Sequence, residues 1–165
     1  MKKSHILIVI VLAGTALSTW LYLTSDTRQI RNQLNTLVTL SDKKGPEQGI
    51  EALSKAAGIG KLFSEQCTLK LEEYGHSGTY FRKDITDSVF MIRNRSHQIT
   101  VTMYDITIAI DKPTHAVLTL TLHLSGMVGE GDETAVDVSE IALTMNKEEG
   151  DWLIDSVTVV QVLER

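Results

Sequence analysis

Four stretches between residues 98 and 163 decide the fold: QITVTMYDITIAID (98–111), THAVLTLTLHLSGMV (114–128), ETAVDVSEIALTMNK (133–147) and DWLIDSVTVVQVL (151–163). Each is rich in Val, Ile and Thr and alternates apolar with polar side chains, the pattern of a strand with one buried face. The breaks between them, Asp111-Lys112-Pro113-Thr114, Gly129-Glu130-Gly131-Asp132 and Asn146-Lys147-Glu148-Glu149-Gly150, are turn-like, and connections so short make successive strands antiparallel neighbours. In three of the four the alternation changes phase. Ile99, Val101 and Met103 give way to Tyr104, Ile106, Ile108 and Ile110; Val136 and Val138 to Ile141, Leu143 and Met145; Trp152 and Ile154 to Val157 and Val159. One inserted residue at each switch restores the core face and bends the strand, so a β-bulge is expected at each, in a curved sheet. Ala116, Leu118, Leu120, Leu122 and Leu124 keep one phase and mark the expected central strand.

Upstream the period lengthens to that of helices. Asp26 is placed to cap a first helix, with Gln29 completing a capping box and Ile30, Leu34, Leu37 and Val38 on one face. Lys43-Lys44-Gly45-Pro46 ends it and starts a second helix, whose buried stripe is read as Ile50, Leu53 and Ala57 and which Gly58-Ile59-Gly60 breaks. Cys67, Leu69 and Leu71 alternate as a strand, with Cys67 a small core side chain. After Gly75-His76-Ser77-Gly78 a third helix carries Ile85, Val89 and Ile92 on one face. Its Arg82, Lys83, Arg93 and Arg95 read as a solvated basic face.

The N-terminus is a different kind of segment. Lys2 and Lys3 precede an uncharged run of 18 residues, Ile6 to Leu23, which as a helix spans roughly 27 Å, close to the thickness of a bilayer core. The lysines hold the short end in the cytoplasm, and Trp20 and Tyr22 suit the far interface. Residues 1–25 are therefore expected to be a cytoplasmic stub and single-pass anchor in the inner membrane. Residues 26–165 then form one folded domain on the periplasmic or extracellular side. Cleavage after Ala16 or Ser18 is the competing reading, but it would leave the apolar Thr19 to Leu23 on the mature end. Thr15 stands where a lipid-acceptor cysteine would be needed.

Composition narrows the function classes. The chain has 16 basic and 21 acidic residues, and the anchor contains Lys2 and Lys3 but no acid, so the folded part is distinctly acidic and a nucleic-acid partner is disfavoured. One cysteine rules out an internal disulfide and a cysteine-based zinc site. The histidines fall in no metal-binding spacing, and no motif implies a cofactor.

A helix pair, a strand, a third helix and a meander of bent strands make an α+β cone, with three helices on the concave face of a curved antiparallel sheet. With this element order, the Gly150-Asp151-Trp152-Leu153-Ile154 opening of the last strand and its Val157-to-Leu163 tail, the chain resembles the nuclear transport factor 2-like superfamily, the cystatin-like α+β cone, over about residues 27 to 165. The resemblance implies a cone whose enzymatic members place an acid, a histidine or a tyrosine inside. The inward positions read here, Ile106, Ile108, Leu118, Leu120, Leu122, Ile141, Leu143 and Met145, are all aliphatic or Met. No catalytic residue is assigned on that basis, and the main expectation is a non-catalytic binding or scaffolding domain. It would act through the outer sheet face of Thr107, Thr119, Thr121 and His123, on a second copy or a protein partner. One alternative is a structural part of a membrane assembly such as a secretion system. The other is a binder of small apolar ligands or an isomerase- or dehydratase-like enzyme, with a pocket bordered by Tyr80, Phe90, Tyr104 and Trp152.

Overall fold

The computed structural model describes residue 21, residues 25–128 and residues 134–164. Helix α1 covers residues 25–41, α2 Gly49–Gly60, strand β1 Phe63–Leu71, a short 3-10 turn Glu72–Tyr74, β2 His76–Phe81 and α3 Arg82–Arg95. Strands β3 Ser96–Lys112, β4 His115–Val128, β5 Thr134–Glu148 and β6 Asp151–Glu164 complete one six-stranded sheet in the order β2-β1-β6-β5-β4-β3. All neighbours are antiparallel except β1 and β6, which run parallel. Side chains from all three helices, among them Ile30, Leu34, Ile59 and Ile85, close over the inward faces of β4, β5 and β6. Of the expected anchor only Leu21 is described, as helical and exposed; the rest of Ile6 to Leu23 lies outside the described residues, as does the Gly129 to Glu133 turn. Among the described residues no helix is long and apolar enough to cross a membrane.

The long strands bend where the phase switches predict in two of three cases. In β3 an extra residue falls between Tyr104 and Thr107, with Asp105 at φ +53°. In β6 Asp155 is the extra residue between Ile154 and Ser156. In β5 the expected bulge is absent: the strand pairs with β4 without interruption from His115↔Asn146 to Met127↔Thr134. Nor is β4 central, since only β3 lies beyond it. Its regular phase reflects an unbroken register with β5, not its place in the sheet.

Other differences have local causes. His76–Phe81 is a sixth strand, not a break: as an edge strand, exposed almost throughout, it has no buried face and so no alternation to read. Asp26 lies inside α1 and is buried, so it is not the helix cap. Helix α2 buries Ala52, Ala56 and Ile59 and leaves Ile50 and Leu53 exposed, because it lies too close to its neighbours for large side chains. A Cβ on Gly58 would stand 2.9 Å from Leu40 Cδ1, and one on Gly60 only 2.1 Å from Thr86 Oγ1. These glycines permit helix contact; the helix continues through Gly58 and ends at Gly60, where the sequence places its break.

Candidate functional site

The regular register of β5 decides what the concave face holds. Successive residues of a strand face opposite ways, so Met145, Leu143 and Ile141 share their face with Ser139 and Asp137. The first three are buried in the core. The last two bring polar groups to the same face at the other end of the strand.

The cone is thus packed at one end and hollow at the other. At the packed end lies the first described turn of α1, and the carboxylate of buried Asp26 accepts hydrogen bonds from Lys147 Nζ at 2.6 Å and Trp152 Nε1 at 3.2 Å. At the other end, past Leu37 and Ser41 of α1, lies a cavity of about 470 Å³. Its walls are apolar, mostly aliphatic from Leu122 of β4 to Val157 of β6 with Phe63 and Met103 among them, and the polar residues among its described lining are Ser41, Tyr74, Asp137 and Ser139. A volume of this order, with an apolar wall and a few convergent polar groups, is that of a small-molecule site.

Three of these polar groups form one cluster. Tyr74 Oη donates to Asp137 Oδ2 at 2.6 Å, and Ser139 Oγ donates to Asp137 Oδ1 at 2.7 Å. Each hydroxyl has one proton, so the 3.0 Å approach of Tyr74 Oη to Ser139 Oγ closes a triangle and is not a third bond. Ser139 is buried and Tyr74 partly exposed. Tyr74 arrives from the turn after β1, which ends on Gly75 at φ +72°, a left-handed conformation suited to glycine, and reaches past β6 to β5. A carboxylate in an apolar cavity, flanked by two hydroxyls, can accept a proton from a bound molecule and steady the charge that develops.

The rim beside Ser41 and Ile92 is fixed by a reciprocal pair of helix caps. Arg93 of α3 donates Nη1 to the carbonyls of Leu40 and Ser41 at 2.7 and 2.9 Å and Nη2 to that of Asp42 at 3.2 Å. Its remaining N–H groups bind Glu47, Nε to Oε2 at 3.1 Å and Nη2 to Oε1 at 2.6 Å. In return Lys43 Nζ, just past the end of α1, donates to the carbonyls of Arg93 and Ser96 at 2.6 Å each. Each helix thus supplies the cation that satisfies the other's last carbonyls and opposes its negative dipole end. The solvated reading of Arg93 is corrected accordingly: it is 1% exposed.

The sequence-derived pocket residues do not meet. Trp152 is buried at the packed end, Tyr80 is partly buried against the core, Phe90 is half-buried on α3, and Tyr104 is exposed at the β3 bulge. None of the four lines the cavity. Thr107 and Thr119 are exposed and directly opposed across β3 and β4, with Thr121 and His123 further along β4, so these four do share the outer face. Cys67 is fully buried, and desolvation, reinforced by the charge of Asp155, pushes its thiol up to about 12, which leaves it unreactive.

No protein-family model matches the sequence, and no curated protein is similar to it in sequence. Solved structures do match. A protein provisionally assigned as a scytalone dehydratase, from Novosphingobium aromaticivorans, superposes with a TM-score of 0.71 at 12% identity over 87% of each chain. The hexachlorocyclohexane dehydrochlorinase LinA-type3 of Novosphingobium barchaimii gives 0.69 at 12% identity, over 87% of this chain and 90% of that one. An NTF2-like protein with a cystatin-like fold, from Novosphingobium aromaticivorans, gives 0.65 at 13% identity, over 89% and 90%. The scaffold expectation is overturned: it rested on an aliphatic, filled cone without catalytic groups, whereas this cone is hollow, holds an acid and has enzymes among its structural neighbours. The described chain has the fold of the nuclear transport factor 2-like, cystatin-like α+β cone.

Proposed function

We propose that the domain is a proton-transferring enzyme, an isomerase or lyase, acting on a small apolar molecule in the concave cavity. The observation that supports this is the convergence of Tyr74 and Ser139 on Asp137, the one acidic group among the described lining of a mostly apolar site. In this reading Asp137 removes a proton from a carbon beside an electron-withdrawing group. The C–H electron pair forms a new double bond, and either a leaving group departs from the adjacent carbon or the proton returns one position along. Tyr74 and Ser139 hold the carboxylate in place, and Tyr74 stands at the mouth of the cavity. The dehydratase and dehydrochlorinase among the structural neighbours agree with such chemistry at the level of fold.

The site is carried outside the cytoplasm. Lys2, Lys3 and the run Ile6 to Leu23 support a single-pass inner-membrane anchor for the domain of residues 26–165. A tethered cavity open to apolar molecules would meet them where they concentrate, beside the bilayer.

A substrate-independent probe tests the catalytic reading. Nitrobenzisoxazole is small, neutral and apolar; removal of its ring proton by a base breaks the N–O bond and releases a coloured nitrophenolate. The full chain should accelerate this opening above buffer, and Asp137→Asn should lower the rate about a hundredfold or more while the cavity still binds a neutral fluorescent dye. Equal rates for the two proteins would remove Asp137 from the chemistry.

A further inference from the structure

The inward row of β4 runs on past the level of Asp137. Leu124 pairs with Val101 on one side and with Asp137 on the other, and two residues further, about 7 Å along the strand, Gly126 pairs with Ile99. Leu118, Leu120, Leu122 and Leu124 put large side chains at the inward positions before it. Gly126 puts none, because a Cβ there would stand 2.8 Å from the carbonyl oxygen of Gln98 on β3. At this place lies a recess of about 140 Å³, with Ile99 and Gly126 in its described lining together with Ile92, Leu124 and Asp137. The last three also line the main chamber of about 470 Å³, so the two spaces adjoin and Asp137 stands at their boundary. Apolar side chains are left uncovered at the same boundary. Ile92 is 57% and Leu124 41% exposed, whereas Ile99 is 9% exposed and tied through its backbone to Lys43 by hydrogen bonds of 2.8 and 2.9 Å. An apolar group lying in the recess would cover both exposed side chains against a fixed floor.

We infer that the recess receives a short alkyl branch of the cavity's ligand. The ligand is then a two-part molecule, with a larger apolar body in the main chamber and an arm attached at or beside the carbon that faces Asp137. At about 30 Å³ for each water-sized group, a space of about 140 Å³ holds an arm of about four or five carbons. The carbon presented to Asp137 is internal to such a skeleton and not its terminus. This rests on the cavity being the ligand site proposed above, but not on catalysis there, and it uses the place of Asp137 and not its charge.

Displacement of phenylnaphthylamine, a neutral dye that fluoresces in apolar sites, reads the fit. The probe is phenylcyclohexanone with its phenyl ring across from the carbonyl, a body that at about 30 Å³ per non-hydrogen atom nearly fills the main chamber. The purified full chain is titrated with this ketone bare and with a methyl, butyl or octyl chain on the carbon beside the carbonyl. A matched blank is subtracted (empty nanodiscs where the chain fractionates with membranes). From methyl to butyl the half-displacing concentration should fall about threefold or more per added carbon, and from butyl to octyl by less than about threefold in all. A butyl chain moved to the far end of the phenyl ring overfills the main chamber and should bind at least about tenfold more weakly than butyl beside the carbonyl. Ile99→Phe, which fills the recess from its floor, should abolish the butyl gain and leave the bare ketone within about twofold. Should that variant fail to fold, the two butyl isomers carry the comparison alone on the wild-type chain. Equal binding of the isomers, a gain that continues to octyl, or a butyl gain that folded Ile99→Phe retains would overturn the inference. Branch selectivity without nitrobenzisoxazole opening would instead remove the catalytic reading and leave this one standing, and opening without branch selectivity would do the reverse.

Discussion

Arg93 is the side chain on which most of the rim depends. Removing it strands three helix-end carbonyls and leaves the Glu47 carboxylate, which is 6% exposed, with Lys55 as its one charge partner among the described residues, so Arg93→Ala should cost about 3 kcal/mol in urea or thermal unfolding. The exposed Arg95→Ala should stay within about 0.5 kcal/mol. Glu47 adds a pH signature. Burial pushes its carboxyl up, but hydrogen bonds and charge from Arg93 and Lys55 outweigh this and leave it below the usual carboxylate range. Its contribution is therefore complete above the unfolded value of about 4.3 and is lost as pH falls through the lower folded one. Stability measured down the acid limb should fall less steeply in Glu47→Gln than in the wild type. At this scale the sequence was least legible. Val136 and Val138 look like the core face of β5, and only the unbroken pairing with β4 shows that Asp137 and Ser139 hold it instead. The reversal of pattern was visible in the residues, but bulges and functional polar groups produce the same reversal. Tyr74 left no signal at all, since its role comes from a turn that reaches across the sheet.

At the scale of elements the long strands were readable because their period repeats over many residues, and the β3 and β6 bulges fall where Met103-Tyr104 and Ile154-Asp155 change phase. Strand β2 was not, for lack of a buried face. Helix α2 was misread because its contact is made by what its residues lack. Ile50 and Leu53 look like a core stripe, yet the close approach selects Ala52, Ala56 and the glycines. Gly60→Ala tests this. The added methyl collides with Thr86 Oγ1, which is itself held by a 2.9 Å bond to the Arg82 carbonyl, so overpacking of about 1–3 kcal/mol should exceed the helix gain of roughly 1 kcal/mol. Adding Thr86→Ala should recover the loss. Gly58→Ala meets only the flexible end of Leu40 and should be near neutral in the same denaturation assay.

For the whole molecule, the anchor reading makes a direct prediction: the full chain should sediment with membranes and resist salt washing, and a chain starting at residue 26 should be released. Protease added from the non-cytoplasmic side should reach the domain. A soluble full chain, or a mature N-terminus just after Ala16 or Ser18, would refute it. The reciprocal caps of Arg93 and Lys43 bear on how molecules come and go. They tie chain segments about fifty residues apart, so the last turns of α1 and α3 cannot fray independently, and amides there should exchange with solvent only in larger openings. On the opposite side Tyr74 stands on a three-residue turn, partly exposed and held across the gap through its hydroxyl. The rim therefore has a stiff side and a soft side, and traffic into the cavity runs past the tyrosine.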